Sequence, residues 1–194
     1  MKKLILLSLL ILPVLLIAQK NNPKVIIKTD MGDIVLEIYE DKAPITAGNF
    51  LKYVDAGLYK NGSFYRVVTM ETQVNKDVKI EVIQGGMTRE EGKRGFPSIE
   101  HETTKDTGVL HKDGAISMAR GGVGSAGSEF FICINDQPSL DYGGKRNADL
   151  QGFAAFGRVI KGMRIVKKIQ KIPNENIEYL KEKVKIIDIK RIEN

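Results

Sequence analysis

Few side chains in this sequence of 194 residues could do covalent chemistry. There are two histidines, His101 and His111, one cysteine, Cys133, and no tryptophan. One cysteine can form no disulfide within a chain and cannot build a cysteine-rich zinc site, and two histidines argue against a histidine-rich metal site. A serine or cysteine nucleophile would have to use His101 or His111 as its base, but neither lies in a motif that supports catalysis. We therefore predict no metal, no cofactor and no nucleophilic hydrolysis.

The neighbours of these residues indicate structural roles. His111 precedes Lys112, Asp113 and Gly114, a polar, glycine-containing stretch that predicts a turn. Cys133 lies in an apolar run, so we expect a buried small side chain rather than a redox-active thiol. Taken alone, this inventory favours a protein that binds other molecules without breaking bonds.

The composition is that of one folded domain without a nucleic-acid footprint. Hydrophobic residues make up 42% of the chain and charged residues 28%, so a buried core can form. The 19 glycines favour turns and loops over long helices. The formal net charge is +6, but the densest basic stretch, residues 161–171, interleaves lysines with apolar residues. This pattern indicates a solvated helix face, and we expect no nucleic-acid partner.

Residues 1–18 have the layout of a secretory signal peptide. Two lysines, Lys2 and Lys3, precede an almost continuous apolar run over residues 4–17, and the small residue Ala18 follows. The run is shorter than the stretch of about 20 residues that a spanning helix needs, although an uncleaved anchor stays open as the alternative. We assign residues 19–24 to a linker and residues 25–194 to the folded domain. The chain is expected to be exported, periplasmic or secreted, with no membrane attachment once the signal is removed.

The rest of the chain reads as many short strands and two helices. A hairpin is predicted over residues 25–39, and a helix begins at Ala43-Pro44, where proline fits the first turn, and stops near Gly57. A second short helix is predicted over residues 162–170, a loop over 69–77 and a long irregular region over 87–113. Six further strands are expected over residues 64–68, 79–83, 115–119, 129–134, 153–159 and 184–192. Eight strands with glycine-rich turns favour a closed barrel or a sandwich, whose open ends two helices would cover.

Five sequence blocks occur in the order typical of one family. They are FYRVV at 64–68, IQGG at 83–86, GAISMA at 114–119, GSEFFIC at 127–133 and FAAFGRV at 153–159. With these blocks, the chain resembles the cyclophilins, a family of peptidyl-prolyl cis-trans isomerases, from about residue 25 to residue 192. The resemblance implies a mainly β fold, a closed eight-stranded antiparallel barrel capped by two α-helices. It also implies a groove for proline-containing peptides and for unfolded or partly folded chains, and we expect a monomer.

The implied reaction is rotation about the X–Pro amide bond, which needs no nucleophile, metal or general base. Amide resonance sets a barrier of about 18–20 kcal/mol, and uncatalysed exchange takes roughly tens to hundreds of seconds. In the twisted amide the proline nitrogen regains a lone pair. A fixed guanidinium can donate a hydrogen bond to that lone pair, which the planar ground state does not offer. Arginine suits this role because it stays charged and its donors form a rigid fork.

The resemblance also implies which residues form the site. Arg66 corresponds to the catalytic arginine, Gln84 to a glutamine that contacts the substrate backbone, and Phe131 to the aromatic floor of the proline pocket. Its neighbour Phe130 should face the core, because successive strand residues point to opposite sides. The remaining residues expected to bind substrate are Val82, Ala119, Arg120, Gly121, Glu129, Leu140 and Phe153, and the backbone of 119–121 is expected to pair with the peptide.

Three departures from the family pattern bear on this site. Glu81 stands where the family commonly has phenylalanine, which puts the depth of the proline pocket in question. The segment between Arg66 and Gln84 is longer than in the short family form, and its extra residues, around 69–79, are expected to extend a loop beside the groove. Glu129 stands where the family usually has glutamine, and we expect its carboxylate to hold either Arg66 or Arg120, a choice that stays open.

Two functions are consistent with these residues. The first is a prolyl isomerase that assists the folding of exported proteins. The second is a proline-peptide binding module or chaperone with little catalytic activity, which the departures at Glu81 and Glu129 keep open.

Overall fold

The eight predicted strands form one closed antiparallel barrel. The computed structural model describes residues 22–88, 95–174 and 178–192, so the predicted signal peptide (1–18) and the linker residues 19–21 lie outside the described residues. The strands follow one another around the barrel in the order β1-β2-β7-β5-β6-β4-β3-β8. They are β1 Lys24–Thr29, β2 Gly32–Ile38, β3 Gly62–Val68, β4 Val82–Gly86, β5 Ala115–Met118, β6 Phe130–Cys133, β7 Ala154–Lys161 and β8 Tyr179–Ile192. The predicted fold class is therefore confirmed.

The two predicted helices pack against this barrel. Helix α1, Pro44–Asp55, begins with the predicted proline and contacts β7 and β8, and α3, Met163–Gln170, contacts β2, β3 and β4. A one-turn helix, α2 (Thr104–Thr107), lies inside the region predicted to be irregular. The Thr103 hydroxyl and the Asp106 carboxylate cap its first turn reciprocally, as in a capping box. None of the helices among the described residues is long and apolar enough to span a bilayer.

The starts of two strands, β4 and β8, differ from the predicted ones by three residues or more, for reasons outside the local pattern. Strand β4 begins at Val82 and not at Lys79, because the Gln73 side chain takes both backbone groups of Ile80, accepting from its N–H (3.2 Å) and donating to its carbonyl (2.7 Å). Strand β8 begins at Tyr179, five residues before the predicted start at Val184, because it pairs with β3 as far as Arg66. The stretch 181–183 alternates too weakly in polarity to predict a strand.

The apolar side chains form two separate clusters. The larger one fills the barrel, where Phe50 of α1 meets the rings of Phe130 and Phe156 with centroids 5.6 and 5.1 Å away. The smaller one contains Phe131 and Cys133 from the opposite side of β6. The prediction that Phe130 faces the core is confirmed, as is the buried position of Cys133, where desolvation raises the pKa of the thiol. Several residues of the smaller cluster line the candidate active site.

Candidate active site

A pocket of about 120 Å³ opens over the smaller cluster. Eight of the residues implied by the resemblance line it, and Ile80 is the ninth; the eight are Arg66, Val82, Gln84, Ala119, Arg120, Phe131, Leu140 and Phe153. The strand order explains this convergence, because β3, β4, β6 and β5 are successive neighbours around the barrel, although β5 comes before β6 along the chain. Residues far apart in the sequence therefore meet on one face.

The pocket is apolar at its floor and walls. The ring of Phe131 is 4% exposed and meets the ring of Phe153 edge to face, with centroids 5.2 Å apart and an angle of 89°. Leu140 comes from a 3-10 helix, Pro138–Leu140, and is fully buried, as Val82 nearly is. A small hydrophobic ring can bury its surface here.

Ile80 supplies the wall that Glu81 was expected to weaken. The Glu81 carboxylate accepts hydrogen bonds from Asn135 (2.8 Å) and Gln170 (3.4 Å) and does not line the pocket. The isoleucine before it is 6% exposed and belongs to the smaller cluster. Sequence reasoning missed Ile80, although an apolar residue at the end of the extra loop was a usable signal.

The loop of residues 141–153 holds the longer segment around residues 69–79 in place. The guanidinium of Arg146 donates to the Gln73 side chain (2.8 Å) and to the carbonyl of Val78 (2.6 Å). The Gln73 amide also donates to the carbonyl of Thr69 (2.6 Å). The extra segment is thus closed on itself through Gln73 and tied to the 141–153 loop through Arg146, which places Ile80 against Val82.

A β-bulge at Tyr65 brings two polar side chains to the pocket side of β3. The register of β3 shifts between Phe64 and Arg66 against both of its neighbours. Phe64 and Val67 both point into the barrel core, so the two residues between them, Tyr65 and Arg66, both face outward. A regular strand would send one of this pair inward.

The Arg66 guanidinium is bonded on two sides. Its Nε donates to the Glu178 carboxylate (2.9 Å), its Nη2 donates to the same oxygen, and its Nη1 donates to the Gln84 side-chain oxygen (2.6 Å). Glu178 directly precedes β8, and sequence reasoning missed it because nothing in the local pattern links it to Arg66. The hypothesis that Glu129 holds Arg66 is therefore wrong.

Glu129 reaches Arg66 only through two intermediate side chains. The Tyr65 hydroxyl donates to Glu129 (2.7 Å) and accepts from the Gln84 amide nitrogen (2.8 Å). This arrangement leaves the Gln84 oxygen to accept from Arg66. Burial and the Glu129 carboxylate raise the pKa of Tyr65, so its hydroxyl remains a donor. Glu129 lines a neighbouring groove and not the pocket, and its expected contact with substrate stays a prediction.

Arg120 is held by Asp149, which excludes the second proposed partner of Glu129. Its guanidinium makes two hydrogen bonds of 2.8 and 2.9 Å to the Asp149 carboxylate and two of 2.9 and 2.6 Å to the carbonyl of Gly152. The bonds from Arg120, together with one from the N–H of Gln151, lower the pKa of Asp149 to about 2. The same guanidinium lies 5.3 Å from the ring centroid of Phe153, so Arg120 braces that wall of the pocket.

The stretch 119–121 is only partly available to a peptide. The N–H of Ala119 donates to the carbonyl of Glu129 (2.8 Å), and the N–H of Gly121 donates to the Ser125 hydroxyl (3.0 Å). Gly121 lies outside the residues that line the pocket. The backbone N–H and carbonyl of Arg120 have no hydrogen-bond partner among the described residues, so this residue is the one best placed to pair with a peptide backbone.

His111 lies beneath the pocket, and its predicted place in a turn is wrong. The side chain is 1% exposed, with Nδ1 2.7 Å from Asp141 and Nε2 2.9 Å from the Ser117 hydroxyl. Burial lowers the pKa of His111. Ser117 is fully buried, so this Ser-His-Asp trio cannot meet a substrate and serves the packing of the site.

Comparison with known proteins agrees with this geometry. A family model described as cyclophilin type peptidyl-prolyl cis-trans isomerase/CLD matches residues 24–191. Over 161 residues the chain is 33% identical to peptidyl-prolyl cis-trans isomerase A of Dickeya dadantii, covering 82% of this chain and 77% of that protein. Over 153 residues it is 34% identical to peptidyl-prolyl cis-trans isomerase B of Escherichia coli, covering 73% and 80%.

Solved structures share the fold. A crystal structure of a cyclophilin type isomerase from Cryptosporidium parvum superposes with a TM-score of 0.71 at 24% identity, covering 89% of this chain and 99% of that one. A second structure of the same protein, in the presence of the dipeptide Ala-Pro, gives a TM-score of 0.70.

Proposed function

The chain belongs to the cyclophilin family of peptidyl-prolyl cis-trans isomerases, and from that premise we propose that it turns X–Pro bonds of exported proteins at Arg66. The observation that carries this assignment is a charged, fixed guanidinium at the rim of an apolar pocket floored by Phe131. A proline ring and a hydrogen-bond donor for its nitrogen are what the reaction requires on the protein side.

The pocket separates the two halves of the substrate. The proline ring packs on Phe131 between Val82, Ile80 and Leu140, which keeps it from turning. The residue before proline stays outside and rotates. As the amide twists, the proline nitrogen becomes an acceptor, and Arg66 donates to it. This bond forms only in the twisted state, so it lowers the barrier without stabilising the ground state.

The substrate backbone is bound by groups beside Arg66. The Gln84 side chain has its amide orientation set by Tyr65, and the free backbone groups of Arg120 offer one donor and one acceptor to an extended peptide. The related Cryptosporidium parvum protein, solved in the presence of Ala-Pro, supports a proline dipeptide as the minimal ligand.

The two departures that favoured a binding module place no carboxylate in the pocket. The carboxylates of Glu81 and Glu129 have partners elsewhere, and neither residue lines the pocket. The pocket therefore keeps its apolar wall and its cation.

The cellular role rests on the N-terminal pattern. The charged start, the apolar run and Ala18 support export of a bacterial protein to the periplasm or the medium, where unfolded or partly folded chains present X–Pro bonds in both isomers. We propose that the mature protein works there as a monomer. N-terminal sequencing of exported protein tests the cut after Ala18.

A protease-coupled isomerisation assay with Arg66→Ala tests the reaction. The variant is expected to lose at least 100-fold in kcat/KM, since removing one such donor costs roughly 100- to 1000-fold. It should still bind an Ala-Pro peptide through the apolar pocket. Full activity in Arg66→Ala would exclude Arg66 as the catalytic residue.

A further inference from the structure

A carboxylate from outside the residues that line the pocket is bonded to the Arg66 guanidinium. One oxygen of Glu178 accepts from both Nε and Nη2 of Arg66, and the two side chains are 23% and 21% exposed. We propose that Glu178 is the residue that positions Arg66 for the reaction. This inference rests on the catalytic role proposed for Arg66.

The pattern of donors fixes the plane of the guanidinium. Of its five N–H groups, two donate to Glu178 and one to Gln84, so two remain without a partner among the described residues. Bonds on the Nε–Nη2 edge and at Nη1 together prevent rotation about the last bonds of the side chain. The two remaining N–H groups are then presented in one direction, which a free arginine would not achieve.

Glu178 is itself anchored to the strand that carries Arg66. Its backbone carbonyl accepts from the N–H of Val67 (2.8 Å), and the next residue, Tyr179, lies opposite Arg66 in the β3–β8 register. The ring of Tyr179 stacks on that of Tyr65, with centroids 6.3 Å apart and planes 13° from parallel. The carboxylate and the guanidinium are thus fixed by two strands that are hydrogen-bonded to each other.

This pair differs from the exposed ion pairs of the same protein. The partners Lys112 and Asp136 are 67% and 55% exposed, and pairs of that kind contribute little because water and salt screen them. The Arg66–Glu178 pair is mostly buried, and two hydrogen bonds join the guanidinium to one carboxylate oxygen. These bonds fix the orientation of the guanidinium in addition to the attraction between the two charges.

A carboxylate beside a catalytic cation also reduces its field, and Arg146 offsets that loss. Burial lowers the pKa of Arg146, the charge of Glu178 raises it and the charge of Arg66 lowers it further. The carboxylate of Glu178 therefore acts on two cations, and its charge does not cancel that of Arg66 alone. Positioning should then outweigh neutralisation.

Three variants of Glu178 separate positioning from charge. Glu178→Ala frees the guanidinium and is expected to lower kcat about 10-fold with KM changed less than twofold, because misplaced catalytic groups cost rate before affinity. Glu178→Gln keeps an oxygen that can accept both bonds and should retain at least half of kcat. Glu178→Asp, one methylene shorter, should lie between them and serves as the loss variant if the alanine protein does not fold. Glu182→Ala, the matched change on the adjoining strand β8, should leave kcat unchanged.

The resonance of the Arg66 Nε–H group gives a readout that a purely structural role would not move. Its NMR signal is identified by its loss in Arg66→Lys. It should be sharp in the wild type and in Glu178→Gln, and broadened by exchange in Glu178→Ala. The proposal is overturned if Glu178→Ala keeps or raises kcat, if Glu178→Gln is as slow as Glu178→Ala, or if the signal does not change.

The double variant separates this inference from the proposed function. In an Arg66→Lys background, Glu178→Ala should cause no further loss, since the group it positions is gone. The same 10-fold loss in that background would show that Glu178 acts elsewhere and overturn the inference. Full activity in Arg66→Ala would instead overturn the proposed role of Arg66. A loss in Arg66→Ala beside an unchanged Glu178→Ala would overturn only the role of Glu178.

Discussion

The ring of His111 lies parallel to the ring of Phe131, with 13° between the planes and 5.9 Å between the centroids. The histidine supports the floor of the proline pocket from below. Its Nδ1 bonds to Asp141, next to Leu140, and its Nε2 to Ser117 of β5. One buried side chain therefore ties the floor, one wall and the adjacent strand together.

The free energy of unfolding should fall as the pH is lowered through the range where the unfolded chain's His111 takes up a proton. Burial lowers the pKa of His111, so below its ordinary value of about 6.5 the unfolded chain binds a proton that the folded chain excludes. The free energy of unfolding should thus decrease from pH 7 to pH 5, by at most about 1.4 kcal/mol per pH unit. Urea unfolding at several pH values measures this slope.

The matched controls are the two histidine variants. His111→Gln should abolish the slope between pH 5 and 7, whereas His101→Gln should keep it. The carboxyls with lowered pKa values, such as Asp106 and Asp136, titrate below this window and do not confuse the result. An unchanged slope in His111→Gln would contradict the assignment.

The hydroxyl of Tyr65 should contribute to the rate without touching the substrate's proline ring. Tyr65→Phe removes the hydroxyl that orients the Gln84 amide. The amide can then adopt two orientations, and in only one of them does its oxygen accept from Arg66. A lost hydrogen bond of about 1 kcal/mol corresponds to a roughly fivefold fall in kcat/KM. Tyr142→Phe, at a tyrosine that is 43% exposed, is the control. Equal activity of Tyr65→Phe and wild type would show that Gln84 is oriented without Tyr65.

Ile80 should determine peptide affinity, because it forms a wall of the pocket. Ile80→Ala shortens that wall, and apolar groups in such pockets contribute about 1–3 kcal/mol. We expect at least a fivefold rise in KM for a proline peptide, with kcat changed less. Val74→Ala, on the same loop but 78% exposed, should behave as wild type. A KM that does not respond to Ile80→Ala would place the proline ring elsewhere.

Gln73 should be required for the extra loop to keep its shape. Gln73→Ala leaves the buried N–H of Ile80 without its acceptor and removes one of the two hydrogen bonds that Arg146 donates to this loop, which costs about 1–3 kcal/mol of folding free energy. The variant should also be cut faster by a protease within 69–79. Thermal unfolding and limited proteolysis measure both effects, and Lys76→Ala is the surface control. A loop as resistant as that of Lys76→Ala would argue against this role.

Local patterns predicted the strands and the two longer helices, and the resemblance to the cyclophilins implied most of the pocket residues. The apolar residues of β1 and β2 alternate with period two, Pro44 marks the start of α1, and the blocks around Arg66, Gln84 and Phe131 keep their order. These features depend on residues within a few positions of each other, so they can be predicted from the sequence alone.

The tertiary structure alone decided which groups act on Arg66 and what completes the pocket. Glu178 lies 112 residues from Arg66 and reaches it only because β8 pairs with β3. Ile80 forms a wall of the pocket because Gln73 bonds to its backbone, and His111 is buried because Asp141 and Ser117 satisfy both of its nitrogens. Each of these contacts is a hydrogen bond whose partner the barrel closure or a loop brings near, and no local propensity encodes such a partner.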